Sequence, residues 1–232
     1  MDESILEVGK RFLVSYLKDR TINYDCVIPW RNSWEFIVLH SLRVEGYVKK
    51  LLESENHELT QEEVIMTHLA AILHDVGRVH QRQEHALLGR NIVQAWLKEN
   101  ETVAKNIKDC DRLLYLIEKH SNKEDGDADY ALKILRDADI LDEIGAMSIF
   151  MSSTTIDRSN PYFFKLLRDR VESFEVNFCD DEFKLLNTET AKVILSEKKK
   201  FIVDFNKQLK EELYGTENFG EVNIEDYFHH LA

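Results

Sequence analysis

The amino-acid sequence predicts an all-α fold, a helical bundle with no significant β-sheet. Three observations carry that expectation. Only 2 prolines and 8 glycines occur in 232 residues, which favours long helices over tight turns. Apolar residues recur every three or four positions through most of the chain, the spacing of one helix face. No stretch alternates apolar and polar residues at the period of two that a half-buried strand needs. One domain over 1–232 is expected, with its core at about 30–150 and a helical extension over 151–232.

The elements follow in order. Ile5, Val8, Phe12, Tyr16 and Leu17 put a helix at 3–18, and the stretch 19–32, with Pro29 inside it, reads as a connection. A second helix runs from Trp34 to about Glu53, with Ile37, Val44 and Val48 on one side and His40 on or near it. Thr60-Gln61-Glu62-Glu63 has the form of a capping box. The helix it opens carries Ile65, Leu69, Ile72 and Val76, brings His74 and Asp75 to its end, and has Gly77 as its stop. Another helix starts at Glu84, with His85 in its first turn. Further helices are expected at 101–120, at 130–144, near 161–174 and from about 181 to 213, with an irregular tail from Gly215.

Composition narrows the partners. Against 30 basic residues stand 43 acidic ones, a net charge of −13, so a nucleic-acid polymer, which needs a basic face, is not expected. A small anion held through a metal remains compatible with that charge. Cys26, Cys110 and Cys179 are far apart and form no CxxC, which suits a reducing, cytoplasmic setting. No signal peptide and no apolar run near the ~20 residues of a membrane span are visible, so no membrane partner is expected.

The chemistry centres on LHDVGRVHQRQEH, residues 73–85. His74 and Asp75 end an apolar run, Leu69 to Leu73. An ionised aspartate there is costly unless it is paired or coordinates a metal. Imidazole and carboxylate together suit a divalent transition ion, and a carboxylate can bridge two ions. The other groups able to join are His40, His85, His120 and Asp139, each on its own segment, and packed helices can aim such groups into one site. Arg43, Arg78 and Arg82 stand near these residues and suit phosphate oxygens, while Asp142 lies three residues past Asp139 and suits an orienting role. Asp137 is expected to face solvent. Neither GxSxG nor a P-loop occurs, so no serine nucleophile or nucleotide-triphosphate loop competes.

Taken together, HSLRV at 40–44, LHDVGR at 73–78, EHALLGR at 84–90, IEKHS at 117–121 and LRDADILDEIGA at 135–146 resemble, in that order, the HD superfamily of metal-dependent phosphohydrolases. The resemblance spans about residues 36–150. It implies that His40, His74, Asp75 and Asp139 hold one divalent ion, with Mn, Fe, Mg, Co and Zn all compatible. It also implies that His85 and His120 either hold a second ion, bridged to the first by Asp75, or contact substrate phosphate. Families with the second ion often carry a further His or Asp directly after the position of His120; here Ser121 stands there. The implied activity is hydrolysis of a phosphate ester or phosphoanhydride in a small molecule, with a nucleotide as the expected substrate. Asp75, Arg78 and Asp142 would serve catalysis, and Arg43, Arg78, Arg82, His85 and His120 would meet substrate. Two other readings stay open: a di-iron oxygenase of the HD type, which needs both His85 and His120 as ligands, and a non-catalytic nucleotide-binding regulatory protein.

The remaining conspicuous residues have plainer expectations. His68 is read as a satisfied buried histidine, His57 and His80 as surface groups, and His229 and His230 as tail residues without a role. Trp30, Trp34 and Trp96 are read as packing. Tyr162, Phe163, Phe164, Phe174 and Phe178 are read as core of the last third.

Overall fold

The structure is a computed structural model that describes residues 4–20, 22, 28–124, 128–217 and 219–220. Cys26, His229 and His230 lie outside the described residues. All regular structure among the described residues is helical, as the sequence predicts. The helices are α1 (Ile5–Leu17), α2 (Trp34–Ser54), α3 (Gln61–Leu73), α4 (His85–Glu99), α5 (Glu101–Asn106), α6 (Cys110–Lys119), α7 (Tyr130–Leu141), α8 (Ala146–Ser153), α9 (Phe163–Arg170), α10 (Val176–Leu185) and α11 (Glu189–Tyr214). Short 3₁₀ turns occupy Pro29–Asn32 and Val76–Val79, and a π turn at Val171–Glu175 joins α9 to α10. None of the described helices is long and apolar enough to cross a membrane.

The chain divides into two compact units, 1–142 with 185–193, and 143–184 with 194–232. In the first, α3 is the central helix and packs on α1, α2, α6 and α7. Its entry is set as the sequence predicts: Thr60 accepts from the Glu63 amide while the Glu63 carboxylate accepts from the Thr60 amide. Beyond that cap, Leu69, Ala70, Ala71, Ile72 and Leu73 are all inaccessible to solvent. Burying a leucine or isoleucine side chain of this kind is worth roughly 1.5–3 kcal/mol. The apolar run ahead of His74 and Asp75 is therefore the rigid floor on which those two residues stand.

Three expected boundaries are corrected. Residues 101–120 are two helices, because the Ile107 amide bonds back to Val103 and Ala104 and closes α5, and Asp109 caps α6 by accepting from the Arg112 amide. The helix expected to reach 144 ends at Leu141, where Asp142 turns to extended backbone. The helix expected from 181 starts at Glu189, and residues 176–185 form α10 on their own. The break has a cause: the Asn187 and Thr188 amides are given to Asp137, and the Thr188 hydroxyl caps α11 by accepting from the Ala191 amide. Asp137 is thus fully buried rather than facing solvent.

In the second unit α8 and α9 pack with the π turn. Ile149, Phe150, Phe163, Phe164, Leu167 and Phe201 line a groove of about 370 Å³. The aromatics of this third are more open than expected: Tyr162, Phe164, Phe174 and Phe178 are all exposed, since the short α9 buries only Leu167.

Candidate metal centre

The site residues come from five places in the first unit. His40 lies on the buried face of α2. His74 caps the end of α3, and Asp75 begins the 3₁₀ turn that follows. His85 opens α4, His120 closes α6, and Asp139 sits in the last turn of α7. His40, His74, Asp75 and His120 are at most 4 % exposed.

Close backbone packing brings α4 to Asp75. A Cβ added to Gly77 would meet the His85 carbonyl oxygen at 2.2 Å and the Gly89 nitrogen at 2.6 Å. Only glycine lets the turn lie this close to α4. Gly77 was expected as a helix stop; α3 has already ended at Leu73, and its actual place is this contact. Glu84, just before α4, takes a left-handed conformation, φ 55°, and His85 follows it.

Two groups of ligand-capable atoms form around Asp75. On one side, its Oδ2 lies 3.3 Å from His40 Nε2 and 3.7 Å from His74 Nε2. Asp139 Oδ1 joins them, 3.3 Å from His40 Nε2 and 3.6 Å from His74 Nε2, and the two imidazole nitrogens are 3.1 Å apart. On the other side, Asp75 Oδ1 is 3.2 Å from His85 Nε2 and 3.7 Å from His120 Nε2, with 3.3 Å between those two nitrogens. A transition ion bound at ~2.0–2.2 Å keeps its ligand atoms roughly 3–3.6 Å apart. The two groups come close to that spacing, each with one distance, to Asp75, of 3.7 Å.

The hydrogen bonds at the far side of each ring fix which nitrogen is available. Nδ1 of His74 faces the Ala71 carbonyl at 2.7 Å, that of His85 the Arg82 carbonyl at 2.9 Å, and that of His120 the Ile117 carbonyl at 2.7 Å. Nδ1 of His40 faces Asp142 Oδ2 at 2.7 Å. Carbonyl and carboxylate oxygens only accept, so all four Nδ1 atoms carry the hydrogen and donate it. Nε2 is then the lone-pair nitrogen in each neutral ring. Lone pairs facing lone pairs, and facing carboxylates, form a buried set short of donors between the rings and the acids. A divalent cation is what this set fits.

The electrostatics agree with that fit. Burial pushes the Asp75 carboxyl up, but Arg78 and His74 outweigh it and hold it well below the usual range. Asp139 behaves alike, with Lys123, His40 and His74 as the opposing groups. Burial also lowers His40, yet Asp139, Asp142 and Asp75 hold it well above an ordinary histidine. In the absence of another cation, a proton on His40 is the positive charge these carboxylates gather. Burial takes His120 down to about 4, so it stays neutral and keeps its lone pair near neutral pH.

The remaining expected residues divide. Asp142 sits behind His40 and is itself gripped by Arg43, Nε to Oδ1 at 2.8 Å and Nη2 to Oδ2 at 2.9 Å. Arg78 donates to Asp75 Oδ2 at 2.7 Å, from a 3₁₀ turn rather than from a continuing helix. Arg82 is exposed; its carbonyl, not its guanidinium, is what His85 uses. His68 pairs with Glu45 on α2, and His80 receives or gives a hydrogen bond to the Tyr16 hydroxyl at 2.8 Å. Lys123, which pairs with Asp139, was not expected; it carries no motif, and only its place three residues after His120 could have marked it.

Comparisons with known proteins bear on this geometry. The HD domain family matches residues 37–144. HD domains bind divalent metals, and the His/Asp cluster falls within the matched span. No curated protein matches the chain. Among solved structures, the Lin1889 protein from Listeria innocua is 23% identical with a TM-score of 0.56, covering 92% of this chain and 97% of its own. A Bacillus thuringiensis protein described as an HD-superfamily hydrolase is 22% identical, TM-score 0.56, covering 91% and 97%. Bacillus subtilis YpgQ, solved in complex with ADP, is 20% identical, TM-score 0.55, covering 90% and 97%. At these identities the likeness is one of fold. The family match places an HD domain over residues 37–144, and the solved structures share the fold of the chain.

Proposed function

We propose that this protein is a metal-dependent phosphohydrolase that cleaves a phosphate ester or phosphoanhydride of a nucleotide. One observation carries the reading: four histidines give up Nδ1 to fixed acceptors and turn Nε2 toward the two oxygens of Asp75 and Oδ1 of Asp139. His40, His74, Asp75 and Asp139 would hold the first ion. Asp75, His85 and His120 would hold a second. When bound, such ions supply a more acidic water and a Lewis acid that offsets phosphoryl charge.

The chain's own residues do the positioning. Asp142, clamped by Arg43, orients His40 and fixes its tautomer. Arg78 balances the buried charge of Asp75 and is 30 % exposed, so its guanidinium is open to a phosphate oxygen from the solvent side. The ADP bound to YpgQ supports a nucleotide as the substrate class for this chain as well.

The test is metal content of untagged protein by elemental analysis, with a phosphate- and pyrophosphate-release screen over nucleotides in Mn, Mg, Co and Zn. One or two ions per chain with release from a nucleotide is the expected result. Full metal content with no release from any nucleotide would defeat the reading. The oxygenase alternative has one observation in its favour, that Asp75 stands between two histidine pairs. Two irons with oxygen uptake and no phosphate release would establish it instead.

A further inference from the structure

The loop after α6 supplies a residue that the functional reading does not yet use. The Lys123 ammonium pairs with Asp139 through Oδ2. The other oxygen, Oδ1, is the one that faces His40 and His74. Lys123 is 19 % exposed, and a longer contact of 3.5 Å runs from it to the Arg136 carbonyl. Resting on the metal-dependent reading above, we propose that Lys123 is a positioning residue: it occupies the outer oxygen of Asp139, so that this carboxylate meets an ion through Oδ1 alone.

The contrast with Asp142 gives the reasoning. There an arginine fork takes both oxygens, and His40 takes one of them as well. A lysine is a compact point charge and satisfies one oxygen at a time. A carboxylate with both oxygens free can close on an ion in bidentate fashion and use two coordination positions. The ammonium competes for the second oxygen, disfavours that closure and so favours a position open for water. It also sets a positive charge beside the ligand, which weakens the hold on any cation. The lysine therefore trades affinity for an open position.

The experiment uses the full chain and Mn²⁺ alone. Free Mn²⁺ is followed by its paramagnetic resonance signal, and exchangeable waters on bound Mn²⁺ by solvent-proton relaxation. Lys123→Met is expected to bind Mn²⁺ more tightly, by on the order of tenfold, with weaker relaxation enhancement because waters have been displaced. Lys123→Gln keeps a donor for Oδ2 without the charge. It is expected to bind more tightly with enhancement unchanged, and it carries the test if the methionine variant does not fold. Equal or weaker binding in the folded variants would overturn the role of Lys123 while leaving the metal reading standing. A wild-type chain that binds no Mn²⁺ would overturn the metal reading, and this inference with it.

Discussion

Helix α7 carries two acids two residues apart, and the fold holds them in opposite ways. Asp137 accepts from the Asn187 amide at 2.9 Å and its side chain at 2.8 Å, and from the Thr188 amide at 2.7 Å and its hydroxyl at 2.8 Å. All four are donors, so the buried carboxylate is complete without a cation. Asp139 faces Nε2 of His40 and of His74, which in the neutral rings carry lone pairs, with Lys123 on its other oxygen. The first acid joins two stretches of chain. The second belongs to a set that gathers positive charge. Asp137 is fully buried and the Asp139 side chain is 19 % exposed, but it is the kind of atom each one faces that divides their roles.

The largest expected effects test that separation directly. Asp75→Ala should abolish bound metal and His74→Ala should empty the first site, and each should lower hydrolysis by roughly 10³-fold or more, the several kcal/mol a bound ion contributes, with the helical circular dichroism retained. Asp137→Ala should do the reverse. It leaves the Thr188 amide and hydroxyl buried without an acceptor, at about 1–3 kcal/mol for each group stranded, so the urea midpoint should fall sharply while metal per folded chain stays at the wild-type value. Loss of metal from folded Asp137→Ala, or unfolding of Asp75→Ala, would erase the distinction.

Much of this was open to a reader of the sequence, and the boundary falls along a physical line. The all-α class, the Thr60 capping box and the place of His85 in a first helical turn depend on spacing within a few residues, while the six ligand-capable residues, spread over a hundred positions, are joined by the resemblance of five ordered motifs. What escaped depends on partners far along the chain. The fork of Arg43 on Asp142, 99 residues away, has no signal near Arg43 itself. Asp137 looks like a surface acid until Asn187 and Thr188 arrive from 50 residues on and break a helix to reach it. Lys123 looks like one more loop lysine. Gly77 reads as a helix stop because glycine often is one; the contact that requires it belongs to another helix.

That contact offers a way to cut the centre in half. In Gly77→Ala the new Cβ meets backbone atoms of His85 and Gly89, which cannot swing aside as a side-chain end can. Helix α4 must then move, and it carries His85 but none of His40, His74 or Asp139. The expected result is one ion per chain in place of two by elemental analysis, with His40, His74, Asp75 and Asp139 still loaded. Two ions at wild-type affinity would mean that His85 is not held by this packing.

A smaller effect is expected one shell further out. Arg43→Ala leaves Asp142 on His40 but removes both prongs of its clamp. Outer partners of metal-bound histidines are typically worth 10–100-fold in affinity or activity, and the low end applies because the histidine keeps its acceptor. A Mn²⁺ titration should show weakening of about tenfold with unchanged stoichiometry. No change would mean that His40 is oriented by packing alone.

The smallest effect concerns an acid of a third kind. Glu45 on α2 pairs with His68 on α3, with 2.8 Å between Oε1 and Nδ1 and both side chains under a fifth exposed. The hydrogen bond from His68 holds the Glu45 carboxyl below its usual value, against the upward push of burial. A lowered folded value means the pair stabilises above the unfolded carboxylate pKa and loses that contribution as pH falls through the folded one. Neither the metal site nor the Asp137 network shares these atoms. Accordingly, His68→Ala should cost about 0.5–1 kcal/mol near neutral pH, with metal content intact, and its urea midpoint should converge on that of the wild type as the solution is taken below the lowered Glu45 value. A deficit that persisted in acid would show that His68 contributes packing rather than charge, and that this helix pair resembles the Asp137 junction more than an ion pair.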